Sequence, residues 1–325
     1  MSMSSSDRSE TPASTGAKPL LTGPKRQHFL PRFYLENFSA NGLVAVYDRE
    51  QNTVRLQQPV NTGVIGHFYT MKDAEGRKRF ELEQLLSEYE GKAKTVIDKL
   101  AAREGINDDE RSDMAIFIAL GAMRTPDAID SLKAFNSEIV THVMKSMFHD
   151  VDEVEARLRE DSDHAGTPDH QVRTEAKLMV EMAQNDGVKV STNHRWAVGI
   201  AIQTALEIAP IFAGRDWVVL HRNNEKKSFI TSDAPVFLTT VAPRAERFWG
   251  VGFGNTDALV FFPLKESCTL AMYGNRGDLR HSEVDTERVR QLNLAIASRC
   301  QRFVIGRDEA LLRSLAQRVG AGQSK

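Results

Sequence analysis

The spacing of apolar residues changes twice along this chain of 325 residues. Between Phe80 and Phe212, apolar residues recur three or four positions apart, which is the period of an amphipathic helix. On either side of this stretch, short apolar runs alternate with polar residues and are bounded by turn residues, which is the pattern of β-strands. The sequence therefore predicts an α+β fold in which a helical middle region lies between two β-rich ends.

The β-rich ends are too short, and too polar on one side, to form two separate cores. Residues 43–48 and 53–56 predict an N-terminal hairpin that follows a short helix over residues 27–38. The strands predicted after Gly214 cover residues 217–221, 228–231, 248–253, 258–264, 268–273 and 303–305. Residues 258–264 are apolar on both faces, so they are the candidate for a central strand. We expect the hairpin and the C-terminal strands to build one mixed sheet, with the central helices packed on it.

The two termini differ from the rest of the chain in composition. Residues 1–24 are rich in Ser, Thr, Gly and Pro, and they bury too little apolar surface to offset the entropy of ordering. We expect this segment to be a disordered tail and residues 320–325 to be flexible. Residues 25–319 then form a single α+β domain, with Thr125 as the N-cap and Pro126 as the first residue of one central helix.

Charge and cysteine content limit the compartment and the partners. The net charge is −2, so no global field draws the chain to nucleic acid, which stays an alternative partner beside a small-molecule ligand. We find no apolar run near the roughly 20 residues of a membrane helix and no secretory signal, so we expect no membrane partner and a cytoplasmic location. The two cysteines, Cys268 and Cys300, are too few for a disulfide framework and are expected to be buried free thiols.

Several short motifs occur in a fixed order and resemble a known family. They are Gln27-His28-x-x-Pro31-Arg32-x-Tyr34-Leu35-x-x-Phe38, then Phe117-Ile118-Ala119-Leu120-x-x-x-Arg124-Thr125-Pro126, Phe229-Ile230-Thr231-Ser232-Asp233-x-Pro235-Val236 and Phe262-Pro263-Leu264. In this order they resemble domain of unknown function 4238, over residues 25 to about 307. The resemblance implies no established activity, so the chemistry has to be argued from the residues.

The first motif carries the principal candidate for proton transfer. A histidine near neutral pH can act as a base, an acid or a ligand, which makes His28 a candidate catalytic residue. Gln27, Arg32 and Tyr34 have polar ends on the same segment and are candidate substrate-binding residues. The alternative is that His28 only hydrogen-bonds backbone at the start of a helix.

Arg124 stands at the end of an apolar helix, one residue before the N-cap of the next. Its planar guanidinium could bind a phosphate or carboxylate of a substrate. It could equally hold the end of its own helix or pair with Glu83 or Glu90.

Ser232 and Asp233 directly follow an apolar strand. Strand ends often present catalytic side chains, so Asp233 is a candidate general base or metal ligand and Ser232 a candidate nucleophile. The alternative is a turn in which both side chains satisfy backbone groups before Pro235. No Gly-x-Ser-x-Gly sequence surrounds Ser232, so a serine hydrolase of that class is not indicated.

Glu83 and Glu90 lie seven residues apart and share one face of a predicted helix. With His28 and Asp233 they could bind a divalent metal ion, the one cofactor that the sequence suggests. A solvated acidic face is the alternative.

Two hypotheses about function remain open at this point. One is an acid–base or metal-assisted hydrolase that acts on a phosphorylated compound or nucleic acid, because polar residues embedded in apolar segments are typical of convergent sites. The other is a non-catalytic binding or regulatory protein in which the motif residues are structural. The two are separated by whether His28, Arg124 and Asp233 meet in one pocket.

Overall fold

The computed structural model describes residues 19–185, 187–240 and 252–323. It is an α+β structure with 49% helix and 20% strand, which confirms the predicted fold class. The nine helices of the described residues are α1 (Arg32–Glu36), α2 (Glu81–Ala101), α3 (Asp108–Met123), α4 (Pro126–Met147), α5 (Val151–Glu160), α6 (Asp169–Gln184), α7 (His194–Ala213), α8 (Thr286–Arg299) and α9 (Glu309–Gln323).

The strands are short and lie mostly before α2 and after α7. They are β1 (Arg26–His28), β2 (Val44–Asp48), β3 (Thr53–Gln57), β4 (Val64–Gly66), β5 (Met71–Lys72), β6 (Lys78–Arg79), β7 (Asp216–Arg222), β8 (Thr231–Ser232), β9 (Phe237–Thr240), β10 (Ala258–Lys265), β11 (Cys268–Tyr273), β12 (Leu279–Val284) and β13 (Phe303–Gly306). The N-terminal hairpin of β2 and β3 is antiparallel, as predicted.

The prediction of one mixed sheet is wrong, because the described strands form four separate sheets. A five-stranded sheet has the order β12-β7-β11-β10-β9 and contains C-terminal strands only. A four-stranded sheet has the order β3-β2-β13-β8, so it does join the N-terminal hairpin to the C-terminal end of the chain. The pairs β1–β4 and β5–β6 form two small sheets of their own.

The chain passes from one large sheet to the other between β8 and β9. Pro235 lies in this connection, and a proline cannot donate a ladder hydrogen bond, so the strand that begins at Thr231 cannot continue through it. β8 therefore pairs with β13, and β9 pairs with β10 in the other sheet. This break divides what the sequence pattern suggested would be a single sheet.

The apolar strand β10 lies between β9 and β11 and is buried on both faces, as its composition predicts. Val260 and Phe262 belong to the larger core, which also includes residues of α2, α3 and α7. Phe261 belongs to a second core that includes residues of α8 and α9. Pro263 lies within β10, next to a register shift between Pro263 and Lys265, where a missing donor is tolerated.

Helix α4 begins where the sequence indicates. Thr125 accepts a hydrogen bond from the Ala128 backbone and Pro126 is the first residue of α4, which confirms that prediction. Asn107 and Glu110 form a capping box at the start of α3. Both cysteines are buried and free, also as predicted.

Helix α7 packs along α3 with a buried row of alanines four residues apart, which permits close approach of the two backbones. Among the described residues α7 is the one helix long and apolar enough to span a membrane by length and composition, and 39% of its most apolar 18-residue window is buried. The expectation that no such apolar segment exists was therefore wrong.

Several sequence predictions need a correction or lie outside the described residues. The first motif contains strand β1 and the five-residue helix α1 rather than one helix. Most of the strand predicted over residues 248–253 and residues 1–18 of the predicted tail lie outside the described residues. Within that predicted tail, the Leu20 backbone nitrogen donates to Glu81 at 2.9 Å, and its carbonyl accepts from the Phe80 backbone.

Candidate functional site

His28 is the last residue of β1, and it lines a groove of about 460 Å³ beside α2. Because side chains alternate along a strand, Gln27 is buried on the other side while His28 lies at the groove. We call this cavity the His28 groove. Its lining residues are His28, Arg32, Phe33, Glu36, Glu83, Leu86, Ser87, Glu90, Gly91 and Lys94.

Behind the groove, Arg124 forms an ion pair with Glu90. The Nη1 atom of Arg124 donates to Oε1 of Glu90 at 2.9 Å, and the arginine side chain is only 1% exposed. Its Nε and Nη2 atoms are buried without a hydrogen-bond partner in the described part of the chain. The pairing of Arg124 with Glu90, one of the alternatives open from the sequence, is therefore present.

The backbone of Arg124 is also held by hydrogen bonds. Its nitrogen donates to the Leu120 carbonyl at the end of α3. Its carbonyl accepts from the buried Tyr69 hydroxyl at 2.9 Å. The end of α3 and a tyrosine from the segment after β4 thus fix the backbone position from which the Arg124 side chain extends.

Two titratable groups of the groove have shifted pKa values. Burial raises the pKa of Glu83 to about 7, the nearby Glu90 carboxylate adds to the rise, and the Arg124 charge opposes it. Burial lowers the pKa of His28, and the charges of Arg26, Arg32 and Arg124 lower it further, against a backbone hydrogen bond with Val60. The Nε2 atom of His28 is buried and has no partner among the described residues. Near neutral pH the groove therefore combines a neutral imidazole with a carboxyl group that can hold or release a proton.

The contribution of α2 to the groove follows the helical period. Glu83, Ser87, Glu90 and Lys94 lie three or four residues apart, so they share one face of α2. The sequence patterns indicate Glu83 and Glu90 as candidate site residues but not Lys94. The i to i+4 spacing from Glu90 to Lys94 is the signal that could have identified it.

The other candidates of the first motif have structural contacts. The Gln27 side chain accepts from the Tyr69 backbone at 2.6 Å and donates to Thr70 at 3.1 Å. The buried Tyr34 hydroxyl lies 2.8 Å from the Thr231 hydroxyl and donates to the Pro263 carbonyl at 2.9 Å. Both side chains hold segments of the core together, and neither lines the His28 groove.

Arg32 differs from Gln27 and Tyr34, because it does line the groove. It is exposed, and its Nε donates to Glu36 at 2.8 Å on the same face of α1. Its charge is therefore available at the rim of the groove.

Ser232 and Asp233 form the turn that the alternative reading of the sequence described. The Ser232 hydroxyl donates to the Ala234 carbonyl at 2.9 Å. The Asp233 carboxylate accepts from the backbone nitrogens of Gln301, Arg302 and Phe303 at 2.7–3.0 Å. The turn thereby fastens the crossover between the two large sheets to the start of β13.

Asp233 lies apart from the His28 groove. It lines a different cavity of about 450 Å³, together with Phe29, Leu30 and Pro126. Successive residues of the first motif, His28 and Phe29, thus face two different cavities. The structure brings together His28, Glu83, Glu90 and Arg124, and it does not bring Asp233 to them. A catalytic role for Ser232 and Asp233 stays a prediction.

In the described residues there is no group of three or more His, Cys, Asp or Glu side chains arranged to hold a metal ion. Glu83 and Glu90 lack the further ligands that Asp233 was expected to supply. The set suggested for a divalent cation is therefore not assembled within the described ranges.

The chain matches the sequence model of a protein family over most of its length. The sequence model of the family described as Protein of unknown function (DUF4238) matches residues 26–310. This chain belongs to the DUF4238 family. The matched region starts at β1 and includes every residue of the His28 groove. No curated protein and no solved structure gives a significant match, so the function of this DUF4238 protein has to be inferred from its own geometry.

Proposed function

We propose that the His28 groove is the catalytic site of an acid–base hydrolase that acts on a phosphorylated compound in the cytoplasm. The observation that carries the proposal is the buried ion pair of Arg124 and Glu90. This pair fixes the Glu90 carboxylate in the same groove as His28 and Glu83. Buried polar atoms without a partner, such as Nε2 of His28, are uncommon and are typical of sites that bind or transform a ligand.

The roles of the two titratable groups follow from their protonation states. A neutral imidazole can accept a proton from a water molecule, which makes His28 the general base. A carboxyl group with a pKa near neutrality can give up a proton, which makes Glu83 the general acid. The water oxygen then bonds to phosphorus, the bond from phosphorus to the leaving oxygen breaks, and that oxygen takes the proton of Glu83.

The cations of the groove account for the choice of substrate class. Arg32 and Lys94 both line it together with Glu36, Glu83 and Glu90. Arg32 pairs with Glu36 and Glu90 pairs with the buried Arg124, whereas Lys94 makes no ion pair with any described residue. Lysine and arginine at a groove rim attract the oxygens of a phosphate group. Arg124 acts as a positioning residue, because its guanidinium fixes Glu90 and adds positive charge behind the groove.

A second candidate is a binding protein without catalysis. It is favoured by the separation of Asp233 from the His28 groove, since a hydrolase is expected to bring His28, Arg124 and Asp233 into one pocket. It is also favoured by the contacts of Gln27, Tyr34 and Asp233, since these three motif side chains hold the fold together. On this reading the groove binds an anionic ligand and leaves it unchanged.

The test is hydrolysis of a phosphomonoester, phenyl phosphate, and a phosphodiester, diphenyl phosphate, whose phenolate leaving group is basic enough to need the proton of Glu83. Glu83→Gln and His28→Asn should each lower kcat/KM by a factor of about 100 or more, the usual contribution of an acid or base. Glu88→Gln is the matched control, because Glu88 is exposed on the same helix and does not line the groove. Turnover of neither ester, in buffer with or without Mg²⁺, would favour the binding protein.

A further inference from the structure

A second groove, distant in sequence from the first, lies between α8 and α9. It has a volume of about 330 Å³ and is closed on one side by the connection from β7 to β8. We call it the α8/α9 groove. It shares no lining residue with the His28 groove, and none of the motif residues argued above belongs to it.

Most of the charged residues that line this groove are cations. Among the described residues that line it, the cations are Lys226, Lys227, Arg290 and Arg318, and the one carboxylate is Asp308. Asp308 caps the start of α9, because its Oδ1 accepts a hydrogen bond from the Leu311 backbone nitrogen at 2.7 Å. The groove thus concentrates positive charge on a chain whose net charge is −2.

The cations are largely free to bind a ligand. Lys226, Lys227 and Arg318 are exposed and make no ion pair with any described residue. Arg290 pairs with Glu287 at 3.1 Å in an exposed contact, which contributes little and is easily exchanged. Positive groups without counter-charges in a concave site are a focus for anions.

The floor of the groove is apolar. Val289 and Leu315 are buried in the second core, and Leu311 packs against it. The buried Asn293 is engaged with the backbone, since it accepts from the Ile230 nitrogen and donates to the Ser228 carbonyl. The floor therefore offers contact surface to an apolar group and no charge of its own.

From these observations we propose that the α8/α9 groove binds a small phosphorylated organic molecule. The phosphate lies among Lys226, Lys227, Arg290 and Arg318, and the organic part rests on Val289, Leu311 and Leu315. The volume is that of a small-molecule site and too small for a folded partner. This site is separate from the proposed hydrolase site and does not depend on it.

The test is titration calorimetry of the full chain with phenylphosphonate, which combines a phosphate-like group with an apolar ring and is not an ester that the His28 groove could hydrolyse. The double variant Lys226→Glu, Arg318→Glu should weaken binding at least tenfold, which is about 1.4 kcal/mol. The control variant Lys177→Glu, Lys189→Glu has the same change in net charge at exposed positions outside the groove and should bind as the wild type does. Leu315→Ala should weaken the binding of phenylphosphonate more than the binding of inorganic phosphate.

Three results would overturn the proposal. The first is equal loss of binding in both double variants, which would show an effect of net charge alone. The second is unchanged binding in the Lys226→Glu, Arg318→Glu variant. The third is a single-stranded RNA that displaces phenylphosphonate and binds far more tightly, which would assign the surface to nucleic acid. Binding of the probe at the His28 groove would be the same in both double variants, and ester hydrolysis by these variants is measured separately, so failure here is distinguishable from failure of the hydrolase proposal.

Discussion

Arg124 and Glu90 join the end of α3 to the middle of α2, with 2.9 Å between Nη1 and Oε1 and exposed fractions of 1% and 24% for the two side chains. The Glu90 side chain is thus about a quarter exposed, while its partner is fully buried. A buried guanidinium needs a counter-charge, because transfer of an ion out of water is costly. This pair therefore links the stability of the helical region to the charge of the candidate site.

Removal of Glu90 as the counter-charge should destabilise the chain strongly. In Glu90→Gln the Arg124 guanidinium stays buried without a negative partner, and we expect a loss of about 3 kcal/mol in the free energy of unfolding. Urea denaturation measures it. Glu36→Gln, which breaks the exposed pair with Arg32, is the control and should change stability by less than about 1 kcal/mol. Similar losses in the two variants would contradict the importance of the buried pair.

The titration of Glu83 should make stability depend on pH. Its pKa is about 7 in the folded chain and near 4.5 when exposed, so the stability it contributes is complete below pH 4.5 and is lost as pH rises through 7. Glutamine does not titrate. The Glu83→Gln variant should therefore gain in stability relative to the wild type between pH 4.5 and pH 8, as measured by urea denaturation at both pH values. A difference that stays constant with pH would exclude the shifted carboxyl.

The rate of ester hydrolysis should have a bell-shaped pH profile. It falls on the alkaline side near pH 7, where Glu83 loses the proton that it must donate. It falls on the acid side below pH 6.5, where His28, whose pKa is lowered from 6.5, becomes protonated. kcat/KM measured from pH 5 to 9 gives both limbs. Persistence of the alkaline limb in the residual activity of Glu83→Gln would assign that limb to another group.

Asp233 should prove to be a structural residue. Asp233→Asn places an amide where a carboxylate now accepts three backbone N–H groups, and we expect a loss of at least about 2 kcal/mol in unfolding free energy. Asp127→Asn is a control in the same cavity, exposed in the first turn of α4, with an effect below about 1 kcal/mol. At a temperature where the Asp233 variant is folded, its kcat/KM should equal that of the wild type. A specific loss of activity in folded protein would restore Asp233 as a catalytic residue.

Gly63 should tolerate no side chain. Its φ is +66°, and an added Cβ would lie 2.8 Å from the Cβ of Leu30, next to the strand that carries His28. Gly42 has a φ of +75° but open space around it, so Gly42→Ala should cost only the backbone strain of about 1 kcal/mol. Gly63→Ala should cost at least about 1 kcal/mol more, because the close contact adds to that strain. Thermal unfolding of the two variants compares them directly, and equal losses would mean that Leu30 can move away.

Local features were readable from the sequence because their causes are local. The period of apolar residues identified the helical middle region and the hairpin of β2 and β3, and the residue pair Thr125–Pro126 marked the start of α4. The apolar composition of β10 predicted an interior strand. The collinear motifs identified the family, since each motif is a short run of neighbouring residues.

Only the tertiary structure decided which polar residues share a site. Alternation along β1 directs Gln27 into the core and leaves His28 at the groove, while Phe29 lines the other cavity. The break at Pro235 separates the two large sheets. The adjoining turn places the Asp233 carboxylate where it accepts a hydrogen bond from the backbone at the start of β13. The sequence by itself determined which elements form, because helix and strand periods act over a few residues. Their partners, and hence the meeting of His28 with Glu83 and Arg124, depend on packing between segments far apart in the chain, which leaves no mark on local spacing.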